Sequence, residues 1–481
     1  MSAPTEIQPG GLPRRLPHIE TDTSLSIVIV LFLLSIVVPV LFNIGPVVMS
    51  GTRAVLLLAM VPLTINLLMG RYGRILPTDV LFFLFSIWIF VALLVNNPDQ
   101  AIQSGGGTMV DYMGAYLLGR CLVRTVEQFE AVVKVVVIGT VLTLPLAIYQ
   151  GVTDDALIPE LITRTTGLQS YGDRVADQRL GFYRSSVVFS KSIHYGFCAA
   201  IVFSLCFSGL KGVIGTFWRL LLSLAICACV FFSLSSAALL MLVTQIGVFT
   251  WSALNRNWKY KWYLLLGLVV LAYVAVDLAS NRTPLRVFVH YATLNSETGY
   301  YRISTNNAVM ENIYANPVFG IGLNDWVRPI WMFSGSVDNL WLLVALQYGI
   351  PGFALFVCGY ALAYFGVLRR ISTAPAAIKR AGFAWLVGFG AATLAFFTAH
   401  IWASAASFIF FLFGSAMFIA QMPLPKAQTP ATTRSGSAQP EPRANAPQRQ
   451  SPAAVEEIAQ TGDGESEGIC YTRFPVTPRG E

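Results

Sequence analysis

Charged residues are scarce in this sequence of 481 residues: they make up 12% of it, whereas 55% of the residues are hydrophobic and the mean hydropathy is +0.62. A water-soluble domain usually has about a quarter of its residues charged. The apolar residues come in blocks of about 20 with few charges inside, which is long enough to cross a bilayer. This composition excludes most soluble classes and indicates a polytopic membrane protein.

Familiar catalytic and disulfide motifs are also missing. The sequence contains no Walker loop, dinucleotide fingerprint, zinc signature or nucleophile elbow, so ATP-driven transport and zinc or serine hydrolysis are not indicated. The seven cysteines lie mostly inside apolar runs without framework spacing, which excludes a secreted disulfide scaffold. Basic residues border the apolar segments, so the net charge of +7 reports membrane orientation, and no nucleic-acid partner is expected.

Twelve apolar segments predict an all-α polytopic fold with about 12 transmembrane helices over residues 25–421. The segments are 25–45, 53–70, 78–96, 105–121, 128–149, 187–209, 213–233, 236–254, 262–280, 337–366, 381–398 and 401–421. Asp111 interrupts the fourth segment, so an interfacial helix is the alternative there. Residues 1–24 are predicted as a cytoplasmic segment, and residues 424–481 as a disordered cytoplasmic tail.

Lys and Arg in the short connections set the orientation and place both termini in the cytoplasm, with Arg53 as the visible exception. Two longer loops, about 150–186 and 281–336, then lie outside. Every basic residue in these loops is arginine: Arg164, Arg174, Arg179, Arg184, Arg282, Arg286, Arg302 and Arg328. A guanidinium fork matches two phosphate oxygens at once, so the loops are candidates for binding an anionic diphosphate. For any single arginine, a solvated or salt-bridged side chain is the alternative.

The second outer loop contains a possible amphipathic helix between Arg302 and Pro317, with Thr305 or Asn306 as its N-cap and Asn316–Pro317 as its stop. Such a helix could lie along the outer membrane surface. Gly320 and Gly322 follow it and would permit a tight turn or a close approach of backbone to a ligand. Packing alone is the alternative reason for these glycines.

Asp338 precedes the tenth predicted helix at its outer end, where a carboxylate could act as a general base on a hydroxyl nucleophile. The alternative is that Asp338 caps the helix. Pro351 should kink or interrupt this helix. Asn339 is a further candidate for binding the substrate.

Ionisable side chains also occur near the outer end of the sixth predicted span. Lys191 and His194 share a helix face there, and such groups in a membrane segment are functional candidates. The alternative is a snorkelling lysine and a packed histidine. His290 and His400 have no partner visible in the sequence.

Three stretches resemble the superfamily of O-antigen ligases and Wzy-type polysaccharide polymerases. They are FYRSSVVFSKSIHYG (182–196), NPVFGIGLNDW (316–326) and DNLWLLVALQYGIPG (338–352). The order of the predicted spans and the large outer loop late in the chain extend the likeness to about residues 25–421. The resemblance implies a membrane fold of the glycosyltransferase C type, with a periplasmic loop carrying short helices, and a metal-independent reaction without a cofactor.

Carried over by position, Arg184 and Arg302 would contact the diphosphate of an undecaprenyl-diphosphate-linked glycan. Asp338 would take the place of the histidine in the ligase pattern, which is followed eleven residues later by a glycine. That departure favours a polymerase, although Arg164 with Leu168 matches an arginine-x3-leucine pattern of the ligase loop.

The resemblance therefore predicts an inverting glycosyltransferase of the bacterial inner membrane that polymerises exopolysaccharide, capsule or O-antigen repeats at the periplasmic face. Asp338, Arg184 and Arg302 would be catalytic. The candidate substrate-binding residues are Arg164, Arg179, Lys191, His194, Arg286, Arg328 and Asn339. The expected partners are the lipid-linked glycan donor and acceptor and the bilayer, with a chain-length regulator as a further conceivable one. The alternatives are a ligase that transfers glycan to lipid A core or protein, and a transporter or flippase.

Overall fold

The computed structural model describes residues 25–45, 47–170, 177–281, 296–332 and 334–423. Up to residue 183 the described elements are α1 (Ile27–Val37), β1 (Leu41–Ile44), β2 (Val47–Ser50), α2 (Gly51–Leu68), α3 (Pro77–Asn96), α4 (Pro98–Gln100), α5 (Gly106–Met109), α6 (Ala115–Leu122), α7 (Val126–Leu142), α8 (Leu144–Thr153), α9 (Leu157–Thr166), β3 (Gln178–Arg179) and β4 (Phe182–Tyr183). The later elements are α10 (Ser192–Ser204), α11 (Thr216–Phe232), α12 (Ser236–Leu254), α13 (Lys261–Ala279), α14 (Ser296–Ala315), α15 (Leu340–Ile371), α16 (Ala376–Ala395), α17 (Ala403–Gly414) and α18 (Met417–Gln421).

These elements confirm the predicted all-α polytopic class. In the described part of the chain, eight helical stretches are long and apolar enough to cross a bilayer, and α1 and α11 are shorter apolar helices. The count of twelve spans stays a prediction, as does the likeness to the glycosyltransferase C fold. The predicted segments 1–24 and 424–481 lie outside the described residues.

The first predicted span is wrong at its end, because α1 stops at Val37 and an antiparallel hairpin pairs Leu41 with Ser50. Pro39 explains the stop: its ring disfavours helical backbone at the preceding residue, and it has no N–H to donate. The hairpin is attached to the first long loop, since the Leu41 amide donates to the carbonyl of Gln169 at 2.8 Å.

The fourth predicted span is helical from Pro98 to Leu122, with π-helical turns at Ala101–Gly105 and Val110–Gly114. Asp111 lies in the second of these turns and is buried. Its carboxylate accepts from Arg53 at 2.7 Å and from Ser407 at 3.2 Å. The part of the segment from Val110 to Cys121 therefore lies mostly inside the bundle, whereas Ile102 near its start is exposed.

The centre of the bundle is formed by α10 and α17, whose residues are almost all buried. Helices α6 and α17 cross closely, because a Cβ on Gly119 would lie 2.2 Å from the carbonyl oxygen of Phe411. Small residues permit such close helix packing in membranes. This crossing fixes α17, whose first turn adjoins the candidate site.

Helix α14 begins at Ser296, so the predicted N-cap at Thr305 or Asn306 is wrong, whereas the predicted stop before Pro317 is confirmed. Thr305 lies inside the helix and donates to the carbonyl of Tyr301 at 2.9 Å. The apolar side of α14 is covered by protein: Val309 and Ile313 are buried against a small core that includes Trp326, Val337 and Leu346.

Helix α15 is broken at Gly349, where φ is 70° and ψ is −179°. The chain from Pro317 to Gly322 docks on the break: the Ile321 amide donates to the Leu346 carbonyl at 2.8 Å, and the Ile350 amide donates to the Pro317 carbonyl at 2.8 Å. A Cβ on Gly349 would lie 2.0 Å from the carbonyl oxygen of Val318.

Glycine in the second loop permits the close contact between that loop and α15. A Cβ on Gly320 would lie 2.4 Å from the carbonyl oxygen of Leu346. On the other side, the Asn97 side chain accepts from the Leu323 amide at 2.8 Å, and Asn96 donates to the Phe319 carbonyl at 3.2 Å. Packing of backbone on backbone therefore accounts for Gly320, and it fixes where the loop leading to Asp338 starts.

Candidate active site

A cavity of about 200 Å³ lies where α10, α15 and α17 begin and α16 ends. Four separate stretches of the chain line it. The side chains that carry chemistry are Arg184, Lys191, Arg302, Asp338, His400 and Trp402. The structure thus brings together the three residues predicted as catalytic and adds two residues from the connection between α16 and α17.

Arg302, on α14, forms an ion pair with Asp338. Its Nε and Nη2 atoms both donate to Oδ2 of Asp338, at 3.1 and 3.0 Å. The other carboxylate oxygen accepts from the Ser336 hydroxyl at 3.0 Å. Both side chains are partly exposed to the cavity, at 24% for Arg302 and 37% for Asp338. Charge-assisted bonds of this kind hold a guanidinium in one orientation.

Arg184 follows the β3–β4 hairpin and shares a carboxylate with its neighbour. Asp177 accepts a hydrogen bond from Arg184 at 3.1 Å and forms an ion pair with Arg179 at 3.3 Å. The Arg184 Nε is buried and has no hydrogen-bond partner among the residues that the structure describes. Burial, followed by the nearby charges of Arg179 and Arg302, lowers the pKa of Arg184. These cations are short of counter-charge, which an anionic ligand would supply.

Asn339 is the N-cap of α15, and the alternative that Asp338 is the cap is wrong. The Asn339 side-chain oxygen accepts from the amides of Trp341 at 3.1 Å and Leu342 at 3.2 Å. Its side chain is buried and does not line the cavity. Because Asn339 accepts hydrogen bonds from the free amides in the first turn of α15, the carboxylate of Asp338 is available to pair with Arg302.

Two histidines contact one indole. The His400 ring stacks on Trp402 with centroids 4.4 Å apart, and His194 meets the same ring edge-on at 4.1 Å. His194 points into the bundle and contacts the Ser190 hydroxyl at 3.3 Å through Nδ1, whereas Lys191 precedes α10 and lines the cavity. The two therefore do not share one helix face.

His400 is electrostatically coupled to Asp338. Burial lowers the pKa of His400, while the carboxylate of Asp338 and a backbone hydrogen bond with Val337 oppose that effect. Residue-by-residue reading of the sequence missed this histidine, because only helix packing brings residue 400 beside residue 338. The available signal was topological: the α16–α17 turn is predicted on the same side as Asp338.

Two other predicted residues lie away from the cavity, and a third is not described. Arg164 is 80% exposed and pairs with Glu160 at 3.3 Å, four residues earlier on α9. Arg328 pairs with Asp325 and lies over the ring of Trp326. Arg286 lies outside the described residues. Within the described part of the chain, no cluster of three or more His, Cys, Asp and Glu side chains has a metal-ligand arrangement.

The structure defines the class of a polytopic membrane protein in which cationic side chains line a cavity at the ends of apolar helices. Residues 220–357 match the family model described as O-antigen ligase, and this match confirms the resemblance seen in the sequence. The match supports a likeness of this region to the superfamily of O-antigen ligases and Wzy-type polymerases, whose members are glycosyltransferase-like. The matched region contains Arg302, Asp338 and Gly349, but neither Arg184 nor His400. No curated protein matches the chain.

Proposed function

We propose that the protein is a metal-independent, inverting glycosyltransferase that polymerises undecaprenyl-diphosphate-linked repeat units at the periplasmic face of the bacterial inner membrane. The product would be exopolysaccharide, capsule or O-antigen. The observation that carries the proposal is the cavity in which Arg184, Lys191 and Arg302 lie beside Asp338 at the ends of apolar helices. A lipid diphosphate needs both features, since its chain stays in the bilayer while its charges require cations at the surface.

In this reaction a sugar hydroxyl of the acceptor attacks the anomeric carbon of the growing chain, on the face opposite the diphosphate. The new carbon–oxygen bond forms as the bond to the diphosphate breaks, and the electron pair of that bond goes to the diphosphate oxygen. Arg184 and Arg302 would stabilise this negative charge. The helices that begin at the cavity add the positive ends of their dipoles.

The different environments of the charged side chains support this assignment of roles. Arg184 has a buried Nε that is free to donate, and Arg302 is held in place by Asp338. Lys191 is exposed at the mouth of the cavity, where it would contact a phosphate as a point charge. Asp338 would act by holding Arg302, since both of its oxygens already accept hydrogen bonds.

A ligase is the second candidate, because the matching family model is described as O-antigen ligase. The aspartate at residue 338, where the ligase pattern has histidine, supports the polymerase. The lipid-linked glycans of a deletion strain separate the two: single repeats accumulate if a polymerase is missing, and long lipid-linked chains accumulate if a ligase is missing. An unchanged glycan profile would contradict both the polymerase and the ligase, and it would favour the alternative of a transporter.

The leaving-group role is tested by complementing the deletion strain with variants at matched membrane abundance. Arg184→Ala and Arg302→Ala should abolish long polymer, and Arg302→Lys should reduce it at least tenfold if two-pronged contact matters. Arg164→Ala is the matched control, because that arginine is exposed and outside the cavity. Full-length polymer from either cavity variant would contradict the role, and activity that survives EDTA is expected for a metal-independent reaction.

A further inference from the structure

We propose that His400 is the catalytic base that accepts the proton of the attacking sugar hydroxyl, with Asp338 as the counter-charge of the resulting imidazolium. This inference rests on the proposed glycosyl transfer and names the group that activates its nucleophile. Neither the sequence motifs nor the family match, which ends at residue 357, reaches this histidine.

Asp338 itself is poorly placed to take the proton. One carboxylate oxygen accepts two N–H groups of Arg302, and the other accepts the Ser336 hydroxyl. Hydrogen bonds to the ionised form of a carboxylate favour that form and weaken it as a base. A hydroxyl that approached Asp338 would have to displace one of these donors.

His400 meets the requirements that Asp338 does not. Its ring lines the cavity and is fixed by stacking on Trp402. A neutral imidazole carries a lone pair on one of its two ring nitrogens, and that nitrogen can accept a proton. Burial keeps the pKa of His400 below its ordinary value of about 6.5, so the ring is uncharged at neutral pH and can accept a proton.

The surrounding charges favour proton transfer to this ring. The titratable groups around His400 are Asp338, Arg302, Arg184, Lys191 and His194. Asp338 attracts the imidazolium once it forms. The cations disfavour a positive ring in the empty site, and a bound diphosphate would offset them. The proton therefore moves from the hydroxyl oxygen to the imidazole as the anomeric carbon is attacked, and it leaves to water after the product departs.

The test uses full-length protein in vesicles and two probes: undecaprenyl diphosphate for binding, and lipid-linked glycan extracted from membranes of the deletion strain for transfer. His400→Gln should bind undecaprenyl diphosphate within about twofold of wild type and transfer glycan about 100-fold or more slowly, the usual size of a general-base effect. Arg302→Ala should instead lose binding. His400→Ala, as a second variant, should behave like His400→Gln.

The pH profile supplies an independent readout. Wild-type transfer should fall as the pH is lowered through the pKa of His400, below about 6.5, because the base becomes protonated. His400→Gln should lack this acid limb. Asp338→Asn should shift the limb to lower pH, because the carboxylate raises the pKa of His400.

Three outcomes would overturn the inference: transfer by His400→Gln at the wild-type rate, loss of undecaprenyl diphosphate binding in that variant, or an acid limb that persists without the imidazole. Failure of the proposed function looks different. In that case the wild-type protein itself would neither bind undecaprenyl diphosphate nor lengthen the extracted glycan.

Discussion

Replacing Gly349 by alanine should destabilise the protein more than any other single methyl addition near the site. The residue has φ of 70°, a backbone region that side chains avoid, and its new Cβ would lie 2.0 Å from the Val318 carbonyl oxygen. The strained backbone costs about 1–3 kcal/mol. Room for the methyl group would require the loop at Val318 to move away from α15. That movement would break the hydrogen bond from the Ile350 amide to the Pro317 carbonyl, and leaving these buried groups without a partner costs about 1–3 kcal/mol.

The expected loss is therefore about 2–6 kcal/mol, taking the backbone and hydrogen-bond costs together. It should appear as a Tm in detergent several degrees below wild type, measured by the fraction that stays monodisperse after heating. Gly247→Ala is the matched control, because that helical position has open space around a Cβ and should be neutral or slightly stabilising. Equal Tm values for the two variants would refute the account of the broken helix.

Other contacts give smaller or differently directed effects. Asp111→Ala should cost about 3 kcal/mol by leaving Arg53 without its buried carboxylate, and the Arg53→Met/Asp111→Leu double variant should recover much of that Tm loss. Asn339→Ala should cost about 1 kcal/mol by removing the cap of α15, whereas Asn339→Asp should stay close to wild type in the same melting assay. Arg164→Ala should change stability by less than about 0.5 kcal/mol, since its ion pair is exposed, and a larger Tm shift would give that side chain an unrecognised partner.

Hydropathy was sufficient to predict the class of fold, because the length of an apolar run reflects the thickness of the bilayer. It could not place the ends of the helices. Pro39 stops α1 early and the chain turns into a hairpin, a local effect that an average over 20 residues hides. The π-helical turn at Asp111 depends on Arg53 and Ser407, which lie on other helices.

The sequence predicted only part of the candidate site, because some of its contacts join residues that are far apart in the chain. Arg184, Arg302 and Asp338 stood out as charged residues in outer loops, and they do line one cavity. Asn339 and Asp338 are adjacent, and only the backbone geometry decides which of them caps α15. His400 carries no sequence signal of its own, because its neighbours come from residues far away along the chain.

The residues that line the cavity are translated at different times during synthesis of the chain. The arginines and Asp338 precede residue 340, whereas His400 and Trp402 are translated only after α15 and α16. A nascent or prematurely terminated chain would thus display cationic loops without the imidazole and indole. Under the proposed function, such a fragment would carry cationic residues for the diphosphate without the proposed base.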